Sequence, residues 1–170
     1  TRRRRQRQMC IRDSVYVYDP YIEKEKVKIS GAIPVDNISE NLQKMDAVTL
    51  HCPKNNETTD LFTKQEFDLM KKSSFIINCA RGGILNEEDL YEALTNKKIA
   101  GAGLDVFDVE PTPSSNPLFK LNNVILSPHI AGVTVESTIR MATETVQNVL
   151  DVLDDKINQS VVVNNKEIGM

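Results

Sequence analysis

The stretch FIINCARGGILNEEDLYEAL, residues 75–94, decides the fold. It opens on an apolar run, Phe75 to Ala80, whose lack of alternation fits a strand buried on both faces. Arg81-Gly82-Gly83 breaks that run. Asn86, followed three residues later by Asp89, then gives a loose capping signal for a helix from Glu87 to Asn96. Strand, turn and helix in this order are one step of a parallel sheet.

The same step recurs on either side. Further strand candidates are Val15 to Tyr18, Ala47 to Cys52, Ala100 to Phe107 and Val124 to Leu126, with a weaker one at Ala32 to Val35. Between them Thr63 and Glu66 form a capping box. From Ser137 to Leu153, Ile139, Ala142, Val146, Leu150 and Leu153 fall on one stripe of an amphipathic helix. Val161 to Val163 reads as a short strand or extended segment. The fold class is α/β, a Rossmann-type doubly wound parallel sheet with helices on both faces.

A chain of 170 residues holds one domain with a core rather than two full ones. With 40% hydrophobic and 26% charged residues it has ordinary globular composition, and no apolar run is long enough for a membrane span. Cytoplasmic placement is expected. Cys10, Cys52 and Cys79 form neither a close pair nor a disulfide framework, and no metal site is expected.

Charge is uneven. Residues 1–14 contain six of the eight arginines, leaving 15 Lys and Arg against 23 Asp and Glu, a formal charge of -8, in the remainder. An acidic body argues against a nucleic-acid partner. The leader can be a nucleic-acid arm, a targeting peptide or a foreign segment; RRRRQRQMCIRDS resembles a translated sequencing-adapter remnant and is set aside from the fold. Residues 15–153 are then the α/β region and residues 154–170 a C-terminal tail.

Ligands of open parallel sheets bind beyond the carboxyl ends of the strands. Those positions carry Asp19, His51-Cys52-Pro53, Arg81, Asp105 with Glu110, and His129. Arg81 follows an apolar run, so an anionic partner is expected: either a structural Asp or Glu, or a ligand carboxylate held by its planar fork. His129 beside a carboxylate such as Glu110 would be a proton donor and acceptor near neutral pH, although a lone histidine is more often structural. Gly101-Ala-Gly103 begins a G-x-G-x-x-G pattern, but Val106 occupies the third position and the segment reads as a strand. The chain carries no other glycine-rich phosphate loop.

DAVTLHCP (46–53), NCARGGILNEEDLYEAL (78–94), AGAGLDVFDVEP (100–111) and NVILSPHIAG (123–132) together resemble the D-isomer-specific 2-hydroxyacid dehydrogenases, from about Val15 onward. The resemblance implies an N-terminally truncated NAD-binding domain over residues 15–153, an incomplete Rossmann-type sheet whose first strand and glycine-rich loop are missing, phosphoglycerate dehydrogenase- or hydroxypyruvate reductase-like, with residues 154–170 a tail that would return to a missing substrate domain. Its catalytic residues would be Arg81, which binds the substrate carboxylate, His129, which moves the proton, and Glu110, which pairs with the histidine. NAD would be held by Asp19 at the adenosine ribose, by Cys52, Pro53, Cys79, Ala80, Arg81 and Asp105, and by His129, Ala131 and Gly132. A small 2-hydroxy or 2-oxo acid substrate and a homodimeric full-length subunit are also implied. The same fold serves in an NAD(H)-sensing corepressor, the alternative reading.

Overall fold

The computed structural model describes residues 14–164, so most of the leader and the end of the tail lie outside the described residues. The chain divides into two compact units, Thr1–Pro128 and His129–Met170. In the first unit each expected apolar run forms a strand. These are β1 (Tyr16–Val17), β2 (Ile33–Pro34), β3 (Ala47–Leu50), β4 (Phe75–Asn78), β5 (Gly101–Leu104) and β6 (Val124–Leu126). The intervening helices are α1 (Lys24–Ile29), α2 (Ser39–Leu42), α3 (Lys64–Leu69) and α4 (Glu87–Thr95).

All pairings are parallel. β1 pairs with β2, and β3, β4, β5 and β6 form a four-stranded sheet in sequential order. Register aligns Leu50 with Asn78, Asn78 with Leu104, and Leu104 with Leu126. The carboxyl ends of four strands therefore share one edge. This is a Rossmann-like α/β fold.

Burial differs between the faces of the larger sheet. Leu50, Ile76, Ala102 and Leu104 join Phe67, Leu90, Ala93 and Leu94 in one core, each leucine, isoleucine or phenylalanine contributing on the order of 1.5–3 kcal/mol. On the opposite face Ala47 and Thr49 are exposed, Phe75 is 50% exposed and Ile125 80%. The unbroken apolar runs imply burial on both faces; within this unit one face has it. Gly101 lies where a Cβ would stand 2.7 Å from the Asn123 carbonyl oxygen, so close strand approach, not phosphate binding, accounts for its lack of a side chain.

Capping fixes the helix starts. The Thr63 hydroxyl accepts from the Gln65 N–H at 3.4 Å, and Glu66 Oε2 accepts the Thr63 N–H at 3.0 Å, completing the expected box. Asn86 caps α4 by accepting the Asp89 N–H at 3.0 Å. Asp89 does not return the bond. Its carboxylate accepts the Lys64 N–H at 2.9 Å and so joins α3 to α4.

In the second unit α5 spans Val135–Leu153. It starts two residues before the expected Ser137, because Thr134 and Ser137 form a reciprocal cap with serine in place of the usual Glu or Gln. The apolar stripe forms, but no residue of α5 is buried. The tail follows the extended reading only in part: Gln159–Val161 is a 3-10 turn capped by Asn158, whose side chain accepts the Ser160 N–H at 3.1 Å, and Val162 beyond it is extended. A local side-chain cap there outweighs the β-propensity of Val161. Among the described residues no helix is long and apolar enough to cross a membrane.

Candidate functional site

The turn after β4 is held by a polar residue buried among apolar ones. Asn78, 1% exposed, accepts the Ala80 N–H at 3.0 Å through Oδ1 and donates from Nδ2 to the Arg81 carbonyl at 2.9 Å. Both bonds close on the turn that carries Cys79, Ala80 and Arg81. Beyond it, a Cβ on Gly82 would lie 1.8 Å from the Phe107 carbonyl oxygen. The two loops after β4 and β5 are thus in backbone contact, which no other residue type permits.

Arg81 is exposed, and its Nη1 donates to the Ala80 carbonyl at 2.6 Å. Among the described residues no carboxylate forms an ion pair with it. Of the two alternatives, a structural Asp or Glu is not found among the described residues, because the turn lifts the guanidinium out of the apolar run into solvent, where it does not need one. A fork left facing solvent is available to a ligand carboxylate.

After β5, Asp105 is 2% exposed and its Oδ1 accepts the Ser127 hydroxyl at 2.5 Å. Glu110 is exposed, with Oε1 accepting the Phe107 N–H at 2.9 Å. Glu87, at the start of α4, fixes this loop with both oxygens: Oε1 accepts the Asp108 N–H at 2.6 Å and Oε2 accepts Asn116 Nδ2 at 3.0 Å. Partial burial pushes the Asp108 carboxyl above the usual carboxylate range, and the nearby charge of Glu87 pushes the same way.

Beyond β1 and β2 a cavity of about 290 Å³ collects Tyr18, Asp19, Lys24, Val35 and Asp36. Asp19 Oδ1 accepts the Tyr21 N–H at 2.9 Å, which orients the carboxylate at the strand end. The Tyr21 hydroxyl donates to Glu57 in the loop after β3, and that carboxylate holds the tyrosine above its usual range. Cys52 is half-buried, and its burial pushes the thiol up; Pro53 is exposed, and its carbonyl accepts the Thr58 hydroxyl at 2.6 Å. No group of three or more His, Cys, Asp or Glu among the described residues could hold a metal.

His129, Ala131 and Gly132 belong to the second unit and are exposed. His129 opens that unit with φ at 56°, in the left-handed region. The Val133 N–H bonds the Ile130 carbonyl at 2.9 Å, closing a turn before α5. The first unit therefore gathers Cys52, Pro53, Cys79, Ala80, Arg81 and Asp105 at one sheet edge, with Glu110 on the adjoining loop.

Asn78, Glu87 and Ser127 are the residues that sequence reasoning missed. Asn78 is the one polar residue in Phe75-Ile-Ile-Asn78, and a buried polar residue at a strand end is a signal for a pinned turn. Glu87 reads simply as first-turn acid, a helix signal that conceals its role in the loop.

The family model for "D-isomer specific 2-hydroxyacid dehydrogenase, NAD binding domain" matches residues 4–131. The D-3-phosphoglycerate dehydrogenase of Methanocaldococcus jannaschii is 42% identical over 145 residues, covering 85% of this chain and 28% of that protein. The glyoxylate reductase of Thermofilum pendens is 42% identical over 127 residues, covering 75% of this chain and 37% of its own. The chain thus spans well under half the length of these relatives. Among solved structures, the NAD-complexed D-isomer specific 2-hydroxyacid dehydrogenase of Lactobacillus delbrueckii superposes with a TM-score of 0.77 at 29% identity, over 88% of this chain and 48% of that one.

Proposed function

The chain belongs to the D-isomer specific 2-hydroxyacid dehydrogenase family, and from that membership we propose that it forms part of the NAD-binding domain of a longer subunit that oxidises or forms a D-2-hydroxy acid. The observation that carries this reading is the shared strand edge, where in-register parallel strands present Cys52, Pro53, Cys79, Ala80, Arg81 and Asp105 together. Parallel sheets bind nucleotides at that edge.

NAD fits the residues present at two of its three parts. Asp19, oriented by the Tyr21 N–H at the mouth of a cavity, would accept from the adenosine ribose hydroxyls. At the nicotinamide end the family resemblance assigns Asp105 in the first unit and, separately, Ala131 and Gly132 in the second. The pyrophosphate has no glycine-rich loop in this sequence to receive it, so the isolated chain should bind NAD weakly. Calorimetric titration should detect little or no heat; a micromolar affinity would contradict this.

When bound, NAD supplies the hydride acceptor and donor at its nicotinamide ring. The chain's own residues supply the rest. Arg81 would bind the substrate carboxylate in its solvent-facing fork and draw charge toward the carbonyl oxygen. His129 would take the C2 hydroxyl proton during oxidation and return it during reduction, and Glu110 is the carboxylate that the family resemblance pairs with it. Asn78 keeps Arg81 in place by tying down its backbone.

The relatives are named for two different substrates, phosphoglycerate and glyoxylate, and 3-phosphoglycerate, glycerate with hydroxypyruvate, and glyoxylate are the acids proposed here. The full-length subunit is proposed as a cytoplasmic homodimer, which light scattering would check. The exposed apolar face of the larger sheet supports further chain covering it, since a patch of this kind is a liability when bare. The family match begins at residue 4, inside the stretch 1–14 proposed as foreign to this domain, and an independent determination of the reading frame would decide between the two.

A further inference from the structure

The adenosine cavity holds three charged side chains: Asp19, Lys24 and Asp36. Lys24 is the one cation among its lining residues. Its ammonium lies 2.6 Å from Asp36 Oδ1 and 2.7 Å from Oδ2, so both carboxylate oxygens hold it. β2 delivers Asp36 two residues past its end, and α1 begins at Lys24, so the pair straddles the space between the two strand-to-helix crossings.

We propose that the Lys24–Asp36 pair is a second selector of the dinucleotide, acting beside Asp19 to reject a 2'-phosphate on the adenosine ribose. The inference rests on the adenosine-site reading above and extends it to residues that reading does not use. A ribose phosphate needs a cation, and an ammonium is an effective phosphate partner. Here the available ammonium is already engaged, and the group that engages it brings a second negative charge. The cavity's formal balance is one positive against two negative charges. A ribose with free hydroxyls meets acceptors, whereas a phosphate meets two carboxylates and a neutralised lysine.

Both side chains are largely exposed, 59% for Lys24 and 78% for Asp36, so their pairing contributes little to folding and Asp36 can be changed without unfolding the chain. Removing the Asp36 charge frees Lys24 and leaves the cavity formally neutral. The unit-charge interactions involved lie near water-like dielectric, and each is then about a fivefold effect on affinity.

The test titrates the 170-residue chain with adenosine 5'-monophosphate and with adenosine 2',5'-bisphosphate, followed by NMR shift changes, and reads the ratio of the two affinities. The unsubstituted chain should favour the monophosphate. In Asp36→Asn, and equally in Asp36→Ser, the ratio should move toward the bisphosphate by about five- to tenfold, less at high salt. Adding Lys24→Met to Asp36→Asn should abolish that gain. A ratio that does not move in Asp36→Asn, or a gain that survives loss of Lys24, overturns the selector while monophosphate binding still supports the site. Weak binding that is silent in calorimetry still shifts resonances at millimolar nucleotide; if neither nucleotide shifts those of the cavity residues in any of the chains at that concentration, the adenosine-site reading itself fails and takes the selector with it.

Discussion

Asn78→Ala removes two hydrogen bonds from a position that is 1% exposed. The Ala80 N–H, 3.0 Å from Oδ1, is left part-buried without its acceptor, and the Arg81 carbonyl, 2.9 Å from Nδ2, loses its donor. A buried group stripped of its partner costs about 1–3 kcal/mol. The Arg81 carbonyl can recover water because its turn is exposed, so the N–H dominates, and the small cavity left by the amide adds to it. The expected loss is about 2–4 kcal/mol, read by urea unfolding of the chain followed by far-ultraviolet circular dichroism. Asn78→Asp sharpens the reasoning. The carboxylate keeps an acceptor for Ala80 but sets a negative charge against the Arg81 carbonyl in a dry position. Burial raises its folded-state pKa above the unfolded value, so the penalty grows as pH rises through that window and recedes in acid, where the protonated acid donates. An alanine variant within about 0.5 kcal/mol of the parent, against the 1–3 kcal/mol typical of a stranded buried group, would refute the argument. So would an aspartate deficit that does not change with pH.

Gly82→Ala should be among the most damaging single substitutions, because its Cβ would sit 1.8 Å from the Phe107 carbonyl oxygen; loss of the cooperative transition is the expected readout. Gly31→Ala is the contrast. Its φ of 85° disfavours a side chain but nothing lies within 4 Å, so about 1 kcal/mol should be lost and the fold kept. For Asp108, whose carboxyl is raised chiefly by partial burial and then by Glu87, the charged form is penalised in the folded state. Stability should therefore fall as pH rises from the ordinary carboxylate value through the raised one. Asp108→Asn should remove that slope, gaining less than about 1 kcal/mol at neutral pH after solvent screening and nothing in acid, as paired thermal melts would show.

The parallel strands were legible because apolar runs without alternation, each followed by a turn and a capping signal, admit few other folds. Thr63 and Glu66 behave as written. The loose signal at Asn86 and Asp89 is only half local, since Asp89 turns to Lys64, 25 residues away, and such a partner is invisible to spacing. The burial of each sheet face was not legible either: Phe75 and Ile125 look like core residues, yet whether a strand face is covered depends on what packs there. At the site, strand-end positions pointed to Arg81, Asp105 and Asp19. The supports under them were hidden, because Asn78, Glu87 and Ser127 act through three-dimensional neighbours, and their residue types are common in loops and first turns.

Steady-state kinetics on the full-length subunit test whether Arg81 and His129 serve a D-2-hydroxyacid dehydrogenase. With NADH and a panel of phosphohydroxypyruvate, hydroxypyruvate and glyoxylate, at least one acid should be reduced. His129→Ala should lower kcat by about 10²–10⁴-fold, the usual worth of a general acid–base group, and Arg81→Lys should chiefly raise KM for the acid. No turnover of any 2-oxo acid, or turnover that both substitutions leave unchanged, would contradict the account.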